Sequence, residues 1–208
     1  MDDYETKNAY KEAAEKYGPP IVHWKNPFNF EIYEEEAFDE KKSWYKPTSN
    51  FHFDHPFIIS NSLHCETPIR NVMKNIIPFI FRCCAKYIQI HCQDLLFKEF
   101  KVLFEEGNVE KLNLSVNNII NSNGEKINLE DILELTPKLK YFEITSPKIE
   151  AETFNKLAKM KFENKFKSFI LRSFINCDAY EMFEFLKKHF DKNSKFLIYF
   201  EKNTDVNI

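Results

Sequence analysis

Five short apolar segments, KYIQIH, EKLNLS, LKYFEIT, FKSFILRS and KFLIYF, recur along the latter part of the chain. Anchored on Ile88, Leu112, Phe142, Phe169 and Leu197, they lie 24, 30, 27 and 28 residues apart. Stretches with helical periodicity separate them: QDLLFKEFKVLFEEG, NLEDILEL, EAETFNKLAKM and DAYEMFEFLKKHF. A strand plus a helix of this size is too small to bury its own apolar face. Such units must stack, with the strands in a parallel sheet and the helices covering them.

The unit VEKLNLSVNNI sharpens this expectation. Val109, Leu112, Leu114, Asn117 and Ile119 fit the leucine-rich-repeat pattern L-x-x-L-x-L-x-x-N-x-L with conservative apolar replacements. Ala85, Ile88, Ile90, Gln93 and Leu95 match in the preceding unit, and Leu139, Phe142, Ile144, Pro147 and Ile149 in the next. Only the middle unit has Asn at the ladder position. Phe169/Leu171 and Leu197/Tyr199 keep just the alternating apolar pair.

The expected fold is α/β: a short LRR-like solenoid of parallel strands backed by helices over residues 67–208, preceded by an irregular N-terminal cap over residues 1–66. An ordinary α/β domain with the same strand and helix order is the alternative. In the cap, Tyr10, Ala13, Ala14 and Tyr17 at helical spacing predict a short helix stopped by Gly18 and two prolines. Residues 21–64 read as irregular or as a small hairpin. Thr67 and Pro68 predict a helix start, with Ile69, Val72, Met73, Ile76 and Ile77 forming its stripe and Pro78 interrupting it.

The segments CCAKYIQIHCQDL, VEKLNLSVNNI and LTPKLKYFEITS resemble the degenerate leucine-rich-repeat regions of nematode-type F-box proteins, over roughly Pro68 to Phe200. The resemblance implies a repeat region that chooses a protein substrate for a ubiquitin ligase, with a Skp-type adaptor as a second partner. The chain departs from the family in its first part. Met1 to Pro68 has no recognisable F-box, whose start resembles LP-x-E.

On a strand of this kind the anchoring pair points inward and its neighbours point to the open face. That register projects Tyr87, Gln89 and His91, then Lys111, Asn113 and Ser115, then Tyr141, Glu143 and Thr145. Ser168, Ile170 and Arg172 follow, and then Phe196, Ile198 and Phe200, a row expected to be covered by the C-terminal tail. Polar groups mixed with Tyr and Arg suit protein recognition, where a few such side chains supply much of the binding energy. The candidate partner-binding residues are Tyr87, Gln89, His91, Lys111, Asn113, Ser115, Tyr141, Glu143, Thr145 and Arg172. A solvated face without a dedicated partner is the plain alternative.

Other chemistries find less support. Three glycines, Gly18, Gly107 and Gly124, leave no Gly-rich loop to cradle a nucleotide phosphate. A net charge of -3 gives no global field for nucleic acid or a membrane surface, and no apolar run approaches the ~20 residues a transmembrane helix needs. The basic residues from Lys156 to Arg172 read as a solvated face. Twenty-two Phe residues, with abundant Lys, Asn and Ile, reflect an AT-rich coding bias as the first explanation.

Cys83, Cys84, His91 and Cys92 are the sharpest alternative, a small metal- or thiol-dependent enzyme, with His64 and Cys65 as further candidates. The spacing CC-x6-HC is not a paired CxxC framework, so packed free cysteines are the favoured reading and no metal or other cofactor is expected. His52, Asp54 and His55 in FHFDHP offer at most two aligned ligands, and Glu34 to Glu36 read as a solvated acidic segment. An odd cysteine count, with no visible signal peptide, predicts a reduced intracellular setting, cytoplasmic or nuclear. The sum is a non-enzymatic protein-interaction module.

Overall fold

The computed structural model describes residues 30–31, 56–67, 69–174 and 178–200. The expected N-terminal helix, the candidates His52, Asp54 and His55, the acidic run at Glu34 to Glu36 and Cys177 lie outside the described residues.

In chain order the strands are β1 (Phe30–Glu31), β2 (Phe57–Ile59), β3 (Ser62–Glu66), β4 (Ile80–Cys83), β5 (Tyr87–His91), β6 (Asp94–Leu96), β7 (Lys111–Ser115), β8 (Asn118–Ile120), β9 (Tyr141–Thr145), β10 (Phe166–Phe174) and β11 (Phe190–Phe200). The helices are α1 (Val72–Ile76), α2 (Phe97–Val102), α3 (Leu129–Glu134), α4 (Thr153–Lys159) and α5 (Ala179–His189). The protein is α/β. Seven strands form one sheet in the order β1-β3-β5-β7-β9-β10-β11. All its pairings are parallel except that of β1 with β3.

Each strand from β3 onward thus pairs with the next strand of that sheet in the chain. Four of the five expected anchors stand in one row, which Leu63 extends: Leu63 pairs with Ile88, Ile88 with Leu112, Leu112 with Phe142 and Phe142 with Phe169. All five residues of the row are buried, as are their i+2 neighbours Cys65, Ile90, Leu114, Ile144 and Leu171. Alternation of period two has placed both apolar residues of each strand on the core side. Behind them pack Phe100, Leu103, Leu129, Ile132, Leu133, Phe154, Leu157 and Phe185 from the helices and their ends.

Four features differ from the sequence expectation. Ser62–Glu66 is a parallel neighbour of β5, and Phe57–Ile59 pairs in parallel with β4, although both fall in the stretch read as irregular or as a hairpin. FIFRCCA contributes a strand, Ile80–Cys83, directly after a 3₁₀ turn at Ile77–Phe79 that contains Pro78. Asp94–Leu96 and Asn118–Ile120 form a further short parallel ladder.

The fourth difference is a correction of register. Phe169 pairs with Phe196, Ile170 with Leu197 and Arg172 with Tyr199. Phe196 and Ile198 therefore face the core and pack against it. Leu197 and Tyr199 take the open face instead. A slip of one residue exchanges the two faces of a strand, and FLIYF is apolar in both parities, so alternation cannot set its register.

Two backbone devices join successive units. The carbonyl of Asn61 accepts the amides of Lys86 and Tyr87, that of Lys86 accepts Glu110 and Lys111, that of Glu110 accepts Lys140 and Tyr141, and that of Lys140 accepts Lys167 and Ser168. At the other end of four strands a residue has a left-handed backbone: Cys92 (φ 55°), Val116 (57°) and Ser146 (52°) just after β5, β7 and β9, and Ser173 (51°) at an irregularity near the end of β10. None of the four is glycine. A β-branched residue such as Val116 adopts this conformation only under constraint.

Candidate functional site

The open side of the sheet is built by the residues that alternate with the core anchors. Cross-strand register gives three rows. Ser62, Tyr87, Lys111, Tyr141, Ser168 and Lys195 form the row nearest the strand starts. His64, Gln89, Asn113, Glu143, Ile170 and Leu197 form the middle row. Glu66, His91, Ser115, Thr145, Arg172 and Tyr199 lie nearest the strand ends.

The structure brings the ten sequence-derived candidates onto this one surface. Tyr87 and Tyr141 are the large apolar bodies exposed on the first row, at 43% and 44% of their maximal area. Lys111 between them is exposed and forms no ion pair among the described residues. Gln89, His91, Asn113, Ser115, Glu143 and Thr145 are half-buried by their neighbours across the strands.

Arg172 is fixed by two contacts. Its Nε donates to Glu143 Oε1 at 2.5 Å, and its guanidinium lies 4.7 Å from the centre of the Tyr199 ring. The Glu143 bond, then its charge, raises the guanidinium pKa further above its ordinary value. Asn113 Nδ2 donates to Glu143 Oε2 at 3.4 Å, and Ser115 Oγ donates to Asn113 Oδ1 at 2.8 Å. The result is a chain from Ser115 through Asn113, Glu143 and Arg172 to Tyr199, which crosses four strands. Tyr199, 47% exposed, is a face residue that the sequence reading assigned to the core; its partnership with Arg172 follows from the corrected register.

The ladder position behaves differently from the pattern. Gln93 is 0% exposed; its Oε1 accepts the Met73 amide at 3.0 Å and its Nε2 donates to the Ile69 carbonyl at 2.9 Å. Asn117 repeats the arrangement one unit later, accepting the Gln93 amide at 2.8 Å and donating to the Ile90 carbonyl at 2.6 Å. Gln93 thus satisfies the buried Met73 amide and the part-buried Ile69 carbonyl with one extra methylene of reach. Pro147 has no side-chain donor; there the Ser146 amide donates to the Arg172 carbonyl at 2.7 Å.

The cysteine candidates are dispersed. Cys83 ends β4, Cys84 follows it, His91 ends β5 and Cys92 occupies the left-handed turn beyond. Burial pushes the Cys83 thiol up to about 11 and the Cys65 thiol up to about 12, which keeps both protonated and unreactive near neutrality. Among the described residues, no three His, Cys, Asp or Glu side chains gather as a metal site requires. Nor is any described helix long and apolar enough to cross a membrane.

No protein-family model, curated protein or solved structure matches the chain.

Proposed function

We propose that this chain is a non-enzymatic protein-interaction module, an LRR-like solenoid whose open strand face takes a protein partner. The observation that carries the reading is the face itself. Six parallel strands present Tyr87, Tyr141, Tyr199 and Arg172 above a rigid core. Aromatic and Arg side chains held in place lose little entropy on binding, which is why such groups dominate protein interfaces. The hydrogen-bonded chain from Ser115 to Arg172, extended to Tyr199 by the contact of the guanidinium with its ring, supports it by fixing those groups before a partner arrives.

The resemblance to nematode-type F-box proteins extends the proposal to a substrate receptor of a ubiquitin ligase, with the repeat half choosing the substrate. Affinity capture followed by mass spectrometry tests both levels. Tyr87→Ala, Tyr141→Ala and Arg172→Ala combined should abolish recovery of a reproducible partner while the fold persists by circular dichroism. Undiminished recovery would remove the face from the proposal. A Skp-type adaptor recovered alongside would support the ligase role, and a reproducible partner without it would favour a freestanding module.

A further inference from the structure

We propose that the strand-start row of the open face binds an extended acidic peptide segment, running across the strands from Tyr87 toward Lys195. This rests on the interaction reading above and gives the partner a chemistry. The row reads Tyr87, Lys111, Tyr141, Ser168, Lys195 on five adjacent strands. Its two lysines are exposed, and neither has a carboxylate partner among the described residues. Of the acidic groups nearby, Glu110 accepts Lys140 at 2.7 Å, Asp191 lies 3.6 Å from Lys167 and Glu143 is held by Arg172, which leaves Glu163, exposed ahead of β10, without an ion pair among the described residues. Lys138 and Lys165 precede the same strands and add positive charge to the rim, while Lys140 and Lys167 are taken up by Glu110 and Asp191.

The opposite rim has no such excess. Glu66 and Asp94 stand there with Arg70 and Arg172, and Lys148 is paired with Glu150 at 3.1 Å. With the chain as a whole at -3, the lysine row is a local feature, which favours a short acidic segment over a long polyanion that would sample the entire surface. Neighbouring strands lie ~4.8 Å apart, so the row from Tyr87 to Lys195 spans about 19 Å, or about six residues of extended peptide. Lys111 and Lys195 are separated by about 14 Å, which matches carboxylates about four residues apart. An even spacing puts both carboxylates on one side of the peptide. Tyr87 and Tyr141 flank Lys111 and shield its contact from water.

The test is fluorescence anisotropy of the full chain with labelled Glu-Ser-Glu-Ser-Glu-Ser-Glu-Ser, its Gln-for-Glu counterpart and a short oligouridylate. The acidic peptide should bind and weaken with added salt, while the Gln peptide should not bind. Lys111→Glu with Lys195→Glu should weaken the acidic peptide by about tenfold or more. Lys159→Glu with Lys187→Glu makes the same change in net charge on α4 and α5 and should leave binding within about twofold. Equal loss in both pairs would reduce the effect to net charge and overturn the proposal. So would absence of peptide binding, or tighter binding of the oligouridylate through the same lysines. If partner capture depends on Tyr87, Tyr141 and Arg172 while the peptide fails to bind, the acidic segment is wrong and the interaction reading stands.

Discussion

The units around β5 and β7 and those around β10 and β11 solve the same stacking problem with different materials. In the first region the inward side chains are aliphatic, Ile88, Ile90, Leu112 and Leu114, and carboxamides, buried at Gln93 and half-buried at Asn117, tie each turn to the one before. In the second, rings replace them. Phe169 has Phe142 at 4.9 Å, Phe166 at 5.1 Å, Phe185 at 5.4 Å, and Phe190 and Phe196 at 5.9 Å between centroids. Many of the numerous phenylalanines therefore have a packing role, whatever the coding bias that supplied them. Short aliphatic side chains leave the spacing between units to directional hydrogen bonds, whereas large rings fill it by area and edge-to-face contact.

Truncating a ring should separate the two regions most sharply. Phe169→Ala is expected to cost about 4 kcal/mol, against about 1 kcal/mol for Ile90→Val, as read from urea midpoints. Comparable losses would mean that the aromatic cluster is no tighter than the aliphatic one. Gln93→Leu comes next. It leaves the buried Met73 amide without its partner, and the part-buried Ile69 carbonyl too, and should cost about 2 kcal/mol. Pro147→Ala at the corresponding position should cost less than about 0.5 kcal/mol, because no side-chain ladder exists there to lose.

Glu130 lies between the regions and joins α3 to α4. It is buried, with Thr153 Oγ1 donating at 2.8 Å and Lys156 Nζ donating at 2.8 Å. Burial alone would raise its pKa; the bonds from Lys156, a backbone amide and Thr153 outweigh it and leave the carboxyl below its ordinary 4.5. A depressed carboxyl stabilises above that value and loses its contribution as pH falls through the folded pKa. Glu130→Gln should therefore cost about 1 kcal/mol at pH 7, since Lys156 is half exposed, and the gap to wild type should narrow in acid.

Val116→Asn should stabilise by about 0.5 to 1 kcal/mol, because Asn tolerates the left-handed backbone that Val is forced to adopt. Ser173→Asn at the matching left-handed position of the aromatic region, near the end of β10, should gain less, as serine is not β-branched. The smallest effect concerns His189, buried against Phe162 and Phe185 and held below its ordinary 6.5 by burial, then by the charges of Lys188 and Lys165. Unfolded His189 binds a proton that the folded form refuses, so stability should decline as pH drops below 6.5 toward the folded pKa. His189→Gln should flatten that slope in thermal melts between pH 7 and pH 5.

The anchors Ile88, Leu112, Phe142 and Phe169 were legible because each begins an apolar pair bounded by polar neighbours, and the ten open-face candidates followed from them by parity. The C-terminal strand was not legible to the same degree. Five consecutive apolar residues carry no alternation, and only pairing with β10 sets which of them face inward. Gln93 looked like a departure from the repeat because the pattern names Asn, although the chemistry of the site asks only for a carboxamide with enough reach. The left-handed turns gave no signal, since Cys, Val and Ser do not mark positive φ as glycine does.

The relay of carbonyls at Asn61, Lys86, Glu110 and Lys140 makes each strand's position depend on the start of the strand before it, not on the length of chain between them. Residues inserted on the helix side leave the relay intact, which accounts for repeat lengths that range from 24 to 30 without loss of alignment. Such a chain can drift in length over evolution while its exposed surface stays in step, so that new side chains are tried on the face without resetting the fold.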